Sequence, residues 1–373
     1  MKLKKRVVRL FFSLIFLFTL LPVEFAQSES RGSFHFIVLG DSRPHFRELP
    51  QARSFKEMLG EINLISPDFV INVGDLIFGY ACEEKEVRRQ YEDYVSTIKR
   101  CLVPYYNVVG NHEIAGEKGE ELYEEYLGKL YYSFDYKGSH FIVLDTDINR
   151  EIGRRGDTGT LGDKQYNWLK EDLKKNEDKE NLFVFMHKPM FDDAQASSTC
   201  WEDKAERDKV AKLLKEFNVR MVFAGHIHIY RTFMREGITY YISGGGGAET
   251  SYPEKGGFYH YLLIKVKDKE VKVEVIEPLH LWVDYSPAND GSQNEVTATI
   301  TLTLQSSLPL RVRGLTFIMP ELGANECYVI SPGARIVKVV KNQDKTNTLY
   351  VSTFVGSVGQ LGVRVVTVQI KEI

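Results

Sequence analysis

Seven residues able to bind a metal or move a proton each fall just after a short apolar run, most of them behind a glycine. Asp41 follows Leu39-Gly40, Asp75 follows Val73-Gly74, Asn111 and His112 follow Val109-Gly110, His187 follows Phe185-Met186, and His226 and His228 follow Ala224-Gly225. Carboxylates, an amide and imidazoles offer oxygen and nitrogen without thiolate. That donor set suits Mn, Fe, Zn or Co and does not choose among them. Each residue alone has an ordinary reading: an aspartate at a strand end caps a helix, Asn-His after glycine sits in a turn, and His187 before Lys188-Pro189 closes a strand. Together, the ordinary readings require separate loops to place ligand-type residues behind apolar runs by accident.

The elements that must position these residues are legible as apolar runs at 34–39, 69–73, 105–109, 141–144, 182–186 and 221–224. Their near-continuous hydrophobicity predicts strands buried on both faces. Amphipathic stretches at 54–65, 84–99, 120–130, 163–175 and 202–217 separate them, and helices covering a sheet are the economical reading. The fold class expected is therefore α/β. In an open α/β sheet the carboxyl ends of neighbouring strands open on one crevice, where side chains distant in sequence meet. The glycines permit the tight turns that aim them there.

Strand-like alternation continues through 259–266 and 271–276, and the pattern changes after residue 280. A turn-rich stretch at 286–292 precedes strict alternation at 296–304, with more at 336–340, 349–354 and 363–370. Residues 285–373 are expected to form a small all-β domain of sandwich type behind a first domain over 29–280. The chain opens with Lys and Arg followed by an apolar run over 10–23, the layout of a signal peptide ending at Ser28, and export to a periplasmic, extracellular or cell-surface location is expected. An uncleaved anchor is the other reading of that run.

Loss of residues 1–28 removes five basic groups and one acidic group and moves the formal charge from −3 to −7. No basic stripe able to neutralise many phosphates is visible, so nucleic acid is not expected as a partner, whereas small or localised phosphate esters are compatible. Cys82, Cys101, Cys200 and Cys327 lack zinc-type spacing. If two of them pair, Cys82 with Cys200 is the expectation, both being placed on loops at one end of the sheet.

The ordered series Gly40-Asp41, Gly74-Asp75, Gly110-Asn111-His112-Glu113, His187 and Gly225-His226-Ile227-His228 resembles the signature of the calcineurin-like metallophosphoesterases over residues 34–277. The resemblance implies two mixed sheets packed as a β-sandwich and flanked by helices. It also implies two divalent or trivalent metal ions, with Asp75 bridging, Asp41 and His228 on one, and Asn111, His187 and His226 on the other. A bridging water would be the nucleophile, and His112 would protonate the leaving oxygen or bind the phosphoryl group. The reaction implied is hydrolysis of phosphate mono- or diesters. Glu113 would orient a histidine or start a helix, and the run Gly244 to Gly247 would form a close-packed turn near the site.

One position departs from the pattern. The residue two beyond Asp41 is Arg43 where the family has a ligand histidine, and Phe78 stands where purple acid phosphatases have a ligand tyrosine. His45 and Tyr80 are nearby substitutes, and Arg43 is read as a clamp on substrate phosphate, alongside the plain alternative of a surface arginine paired to an acid. The same departure motivates a rival function, a metal- or ligand-binding exported protein with weakened catalysis. A further reading has the β domain docking the protein to a wall, polysaccharide or partner. The segments 148–162 and 191–203, with Asp145, Asp147, Arg150, Arg154, Arg155 and Trp201 in or near them, are expected to overhang the site.

Overall fold

The computed structural model describes residues 32–147, 159–192, 200–201, 203–278, 281–303, 310–356 and 362–372. The leader-like segment and Arg150, Arg154, Arg155 and His280 lie outside them. A first sheet has the order β11-β10-β1-β2-β3, built from β1 (Phe34–Leu39), β2 (Phe69–Asn72), β3 (Tyr105–Asn107), β10 (Tyr261–Lys267) and β11 (Glu270–Ile276). Within it β1, β2 and β3 run parallel, and β10 pairs antiparallel to β1. A second sheet has the order β4-β5-β6-β7-β9-β8, built from β4 (Tyr132–Tyr136), β5 (Ser139–Val143), β6 (Asn181–Phe185), β7 (Met221–Ala224), β8 (Tyr230–Arg235) and β9 (Ile238–Ser243). Its four inner strands are parallel, and both edges are antiparallel.

Residue alternation explains why these strands read as unbroken apolar runs. In β1, Phe34, Phe36 and Val38 join a core between the two sheets, whereas Ile37 and Leu39 join the core beneath the helices. The inter-sheet core is largely phenylalanine: Phe36 stacks on Phe69 at 5.2 Å between centroids, and Phe185 on Phe223 at 5.2 Å. Outside the first sheet lie α1 (Arg53–Ile65), α2 (Glu84–Ile98) and α3 (Gly119–Leu127), and outside the second lie α4 (Gly162–Lys175) and α5 (Lys204–Glu216). In α1 the buried residues Phe55, Met58, Leu59, Ile62 and Ile65 keep helical spacing, and Ser66 in a left-handed conformation closes the helix with its N–H on Ile62 O. The expected fold of two mixed sheets flanked by helices is the one observed.

The C-terminal residues build a second sandwich. One sheet has the order β12-β13-β18-β15, from β12 (Leu281–Ser286), β13 (Glu295–Leu302), β15 (Glu326–Ile330) and β18 (Gly362–Glu372); the other has β14-β17-β16, from β14 (Leu310–Pro320), β16 (Arg335–Lys341) and β17 (Thr346–Val355). β12 begins at Leu281, ahead of the expected 285, and pairs with β13. The sandwich core, with Val296, Ile300, Val312, Phe317, Val351 and Val366, is continuous with the core beneath α1. Contact with α1 is close at Gly314, where a Cβ would lie 1.6 Å from the Asn63 carbonyl oxygen.

One expectation is corrected. All four cysteines are free. Cys82 accepts from Gln90 of α2 at the first sheet, and Cys200 packs beside Ile227, Ile229 and Ile242, so the proposed pair serves different layers. Of the segments expected to overhang the site, 148–158 and 193–199 lie outside the described residues, and Asp145, Asp147 and Trp201 in or near them are buried. Trp201 donates its indole N–H to the Lys188 carbonyl, and Asp147 forms a 2.9 Å ion pair with Lys188, both side chains fully enclosed.

His140 is a buried clamp between two carboxylates. Its Nδ1 lies 2.5 Å from Asp135 and its Nε2 2.8 Å from Asp172. Lys179 reaches Asp135, Ser133 donates to the other Asp172 oxygen, and Asn176 touches His140 Nε2. Burial lowers the imidazole pKa, but hydrogen bonds to Asp172 and Asp135 and the charges of both carboxylates outweigh it and leave the pKa raised. The clamp's stabilisation is therefore complete below the ordinary histidine pKa of 6.5 and is lost as pH rises through the folded value. Melting temperature is expected to fall as pH rises above 6.5, and His140→Gln to flatten that fall while costing about 2 kcal/mol on its acid side. Thermal unfolding of both proteins across pH checks this.

Candidate metal centre

The candidate ligands sit at strand exits of both sheets, where the first sheet's β1, β2 and β3 meet the second sheet's β6 and β7. Three of them, Asp41, Asp75 and His226, have positive φ of 60°, 56° and 69°. Such backbone costs non-glycine residues energy, and the surrounding contacts must hold it. The Asp41 N–H donates to Gly74 O, and Arg43 N–H to Asp75 O, tying the first loop to the second. Ala248 N–H donates to Asp41 O and Gly246 N–H to Gly40 O, so the glycine run is the tight turn expected, packed on the Asp41 loop. Gly74, at φ 100°, lies beneath the His187 ring, and a Cβ there would come 2.5 Å from His187 Nδ1.

Two groups of donors result, with Asp75 in both. Asp75, His187 and His226 form one, and Asp41, Asp75 and His228 the other, each with its ligand atoms within 4.8 Å of one another. In the first, His187 Nε2 is 3.1 Å from Asp75 Oδ1, 3.0 Å from Asn111 Oδ1 and 3.3 Å from His226 Nδ1. His226 Nδ1 is 2.8 Å from the same Asn111 oxygen. In the second, His228 Nε2 is 3.3 Å from Asp41 Oδ1.

Neighbouring groups fix which atom each ligand presents. His187 Nδ1 donates to Val73 O at 2.8 Å and His228 Nδ1 donates to Glu249 O, so both rings turn Nε2 inward. Asn111 Nδ2 donates to the Tyr80 hydroxyl at 2.7 Å, which leaves Oδ1 facing His187 and His226. Tyr80 thus orients an amide and does not stand in for the absent histidine, and its ring packs on His112 at 4.4 Å. His112 Nδ1 donates to Phe78 O, and Nε2 lies 3.6 Å from Asp75 Oδ2. Arg43 Nε lies 3.7 Å from that same oxygen. Arg43, His45, Phe78, Tyr80, His112, His228, Glu249, Thr250 and Ser251 line an open cavity of about 470 Å³ at the mouth.

The titration behaviour has the signature of a cation site. Burial raises the Asp75 carboxyl, but His112, His187 and Arg43 together bring it well below the ordinary range. Burial lowers His187, yet Asp75 and Asp41 overcome it and push the imidazole up to about 10. His226, by burial and by the neighbouring His187 charge, is held well below the ordinary histidine value. Nitrogen and oxygen lone pairs of two carboxylates, an amide and three imidazoles converge here, an arrangement a metal cation satisfies better than a proton. The donors present therefore fit two cations, one facing Asn111, His187, His226 and Asp75 and one facing Asp41, Asp75 and His228.

Glu113 was legible only as an alternative between orienting a histidine and starting a helix, and it does something else. Its buried carboxylate accepts from the N–H groups of Asp75, Leu76, Ile77 and Gly110 at 3.0, 2.7, 3.1 and 2.8 Å. Burial and the Asp75 charge push it up to about 8, against the pull of those N–H groups. Glu113→Gln turns one acceptor into a donor facing donors. Metal affinity is expected to fall about ten- to a hundredfold, as titration calorimetry with Mn²⁺ or Zn²⁺ would show.

A sequence model of the calcineurin-like phosphoesterases matches residues 34–230, a span that holds every candidate ligand. Purple acid phosphatase 23 of Arabidopsis thaliana is 29% identical over 205 residues, 45% of this chain and 42% of that protein, so the chain spans less than half of that relative's length. A dimetal phosphatase from Danio rerio superposes with a TM-score of 0.50 at 16% identity, covering 66% of this chain and 99% of the other. The Plasmodium protein GAP50, described as the anchor in the inner membrane complex, does so with a TM-score of 0.50 at 14% identity, covering 66% and 85%. The family match takes in more than half of the 373 residues, and the chain belongs to the calcineurin-like phosphoesterase family.

Proposed function

We propose that the chain is a metal-dependent hydrolase of phosphate mono- or diesters, acting at the Asp41–His228 site. The observation that carries this reading is Asp75 shared between two donor groups whose inward-facing atoms are set by Val73, Glu249 and Tyr80. Two cations held there would supply a lowered water pKa and neutralisation of phosphoryl charge. The protein's own part is orientation. Asp75 and Asp41 face one donor group together, and His112 lines the cavity with its ring anchored on Phe78 O. Its Nε2 is placed to give a proton to a leaving oxygen or to bind a phosphoryl oxygen. Family membership and the similarity to a protein named a purple acid phosphatase support the same chemistry.

A second reading, a binding protein with weakened turnover, is favoured by one observation: the Asp41 group has three protein ligands, with Arg43 where the family places a histidine. Similarity to GAP50 shows only the fold and does not decide between them. Metal content and hydrolysis of p-nitrophenyl phosphate and bis-p-nitrophenyl phosphate do. Two metals per chain with kcat reduced about a thousandfold or more by Asp75→Asn establish the hydrolase, a loss of ~4 kcal/mol of transition-state stabilisation. Metal bound with no turnover of either ester establishes the binding protein.

Export belongs to the same proposal, with residues 1–28 as the leader and residues 285–373 as a β domain packed on α1. Among the described residues no helix is long and apolar enough to cross a membrane. N-terminal sequencing of the protein recovered outside the cytoplasm is expected to begin at Glu29. A chain retained in the membrane with Met1 intact would mean an anchor.

A further inference from the structure

We infer that Arg43 makes the site selective for phosphate monoester dianions over diesters. The inference rests on the hydrolase reading and names its substrate class. Arg43 is held at the mouth by its own backbone, whose N–H donates to Asp75 O at 2.9 Å, and by its Nη1 on Pro44 O at 3.3 Å. Its Nε is enclosed, without a hydrogen-bond partner among the described residues, 3.7 Å from Asp75 Oδ2 and just beyond bonding reach. The guanidinium passes over the Phe78 ring at 5.9 Å and opens on the cavity that His112 and His228 also line. It is a fixed cation with unused donors beside the shared carboxylate.

Charge then decides the substrate. In the ion-free chain Asp75 is the guanidinium's counter-charge. When cations take up Asp75, Arg43 loses that partner, and its planar fork seeks oxyanions in the cavity. At neutral pH a monoester carries about two negative charges and a diester one, because only the monoester has a second ionisation near pH 6. A monoester also offers three non-bridging oxygens, enough to meet both the cations and a guanidinium, whereas a diester offers two. A neutral histidine at position 43 would add a ligand and no charge, and would lack this discrimination.

The test is kcat/KM for p-nitrophenyl phosphate and bis-p-nitrophenyl phosphate with metal-loaded wild type, Arg43→Ala and Arg43→Lys, with metal content measured on each. Expected are a wild-type preference for the monoester and a loss of about a hundredfold on the monoester in Arg43→Ala. The diester should lose less than about tenfold, and Arg43→Lys should recover part of the monoester rate, with metal content unchanged in both variants. An unchanged monoester-to-diester ratio overturns the inference, as does loss of metal from Arg43→Ala. If wild type turns over neither ester, the hydrolase reading fails. Calorimetric titration with inorganic phosphate then still decides the role of Arg43, since affinity for the dianion should fall at least tenfold in Arg43→Ala, and equal affinity overturns it.

Discussion

Everything at the site depends on satisfying acidic groups that are buried inside the protein. Asp41, Asp75 and Glu113 are all buried, within loops that leave three neighbouring strands of one sheet. Buried carboxylates persist only with hydrogen bonds or cations around them. Glu113 is satisfied by four backbone N–H groups, and in accepting them it binds the turn after β2 to the turn after β3. Asp75 and Asp41 receive far less from the backbone: one bond from His112 N–H for the first and a shared one from His226 N–H for the second. That inequality is the division of labour between a carboxylate that builds the loops and two that are left for ions.

Holding this arrangement strains the chain, and the phenylalanine layer is the counterweight. Left-handed backbone at Asp41, Asp75 and His226 costs roughly 1–3 kcal/mol each. Against it stand rings packed between two sheets whose inner strands admit no slippage, because β1, β2, β5, β6 and β7 are buried on both faces and a one-residue shift would exchange the layers. The strand ends are therefore fixed points, and short loops between fixed points have little freedom to relax. Lys188 and Asp147 extend the same logic behind His187, as a fully enclosed ion pair in the segment that carries the ligand.

The inner strands and the ligand positions were legible because burial on two faces writes itself as continuous apolar sequence ending in glycine. The antiparallel edges of the second sheet were not. β4 and β8 are mostly half-exposed along their length, without the continuous apolar run that marked the inner strands. Nor could spacing disclose tasks that arise only in three dimensions: Tyr80 orienting Asn111, the carbonyls of Val73, Phe78 and Glu249 setting ring tautomers, or Glu113 collecting four N–H groups. Arg43 was visible as a departure from the family pattern, but its enclosed Nε and its place at the mouth were not. The pairing imagined for Cys82 and Cys200 failed because two loops at one end of a molecule can still belong to different sheets.

The bare backbone of Gly314 against Asn63 has a mechanical meaning. A helix that buries one face on the catalytic sheet and receives a strand of the sandwich at its far end is a shared strut. A module joined only by a tether sweeps its partner through a volume, and encounter is set by linker length. A module keyed to a strut gives its neighbour a fixed bearing. Whatever surface the sandwich rests on, the mouth beside Arg43 would face it at one constant angle, like a fitting on a bracket, and the geometry of approach would be decided by the fold.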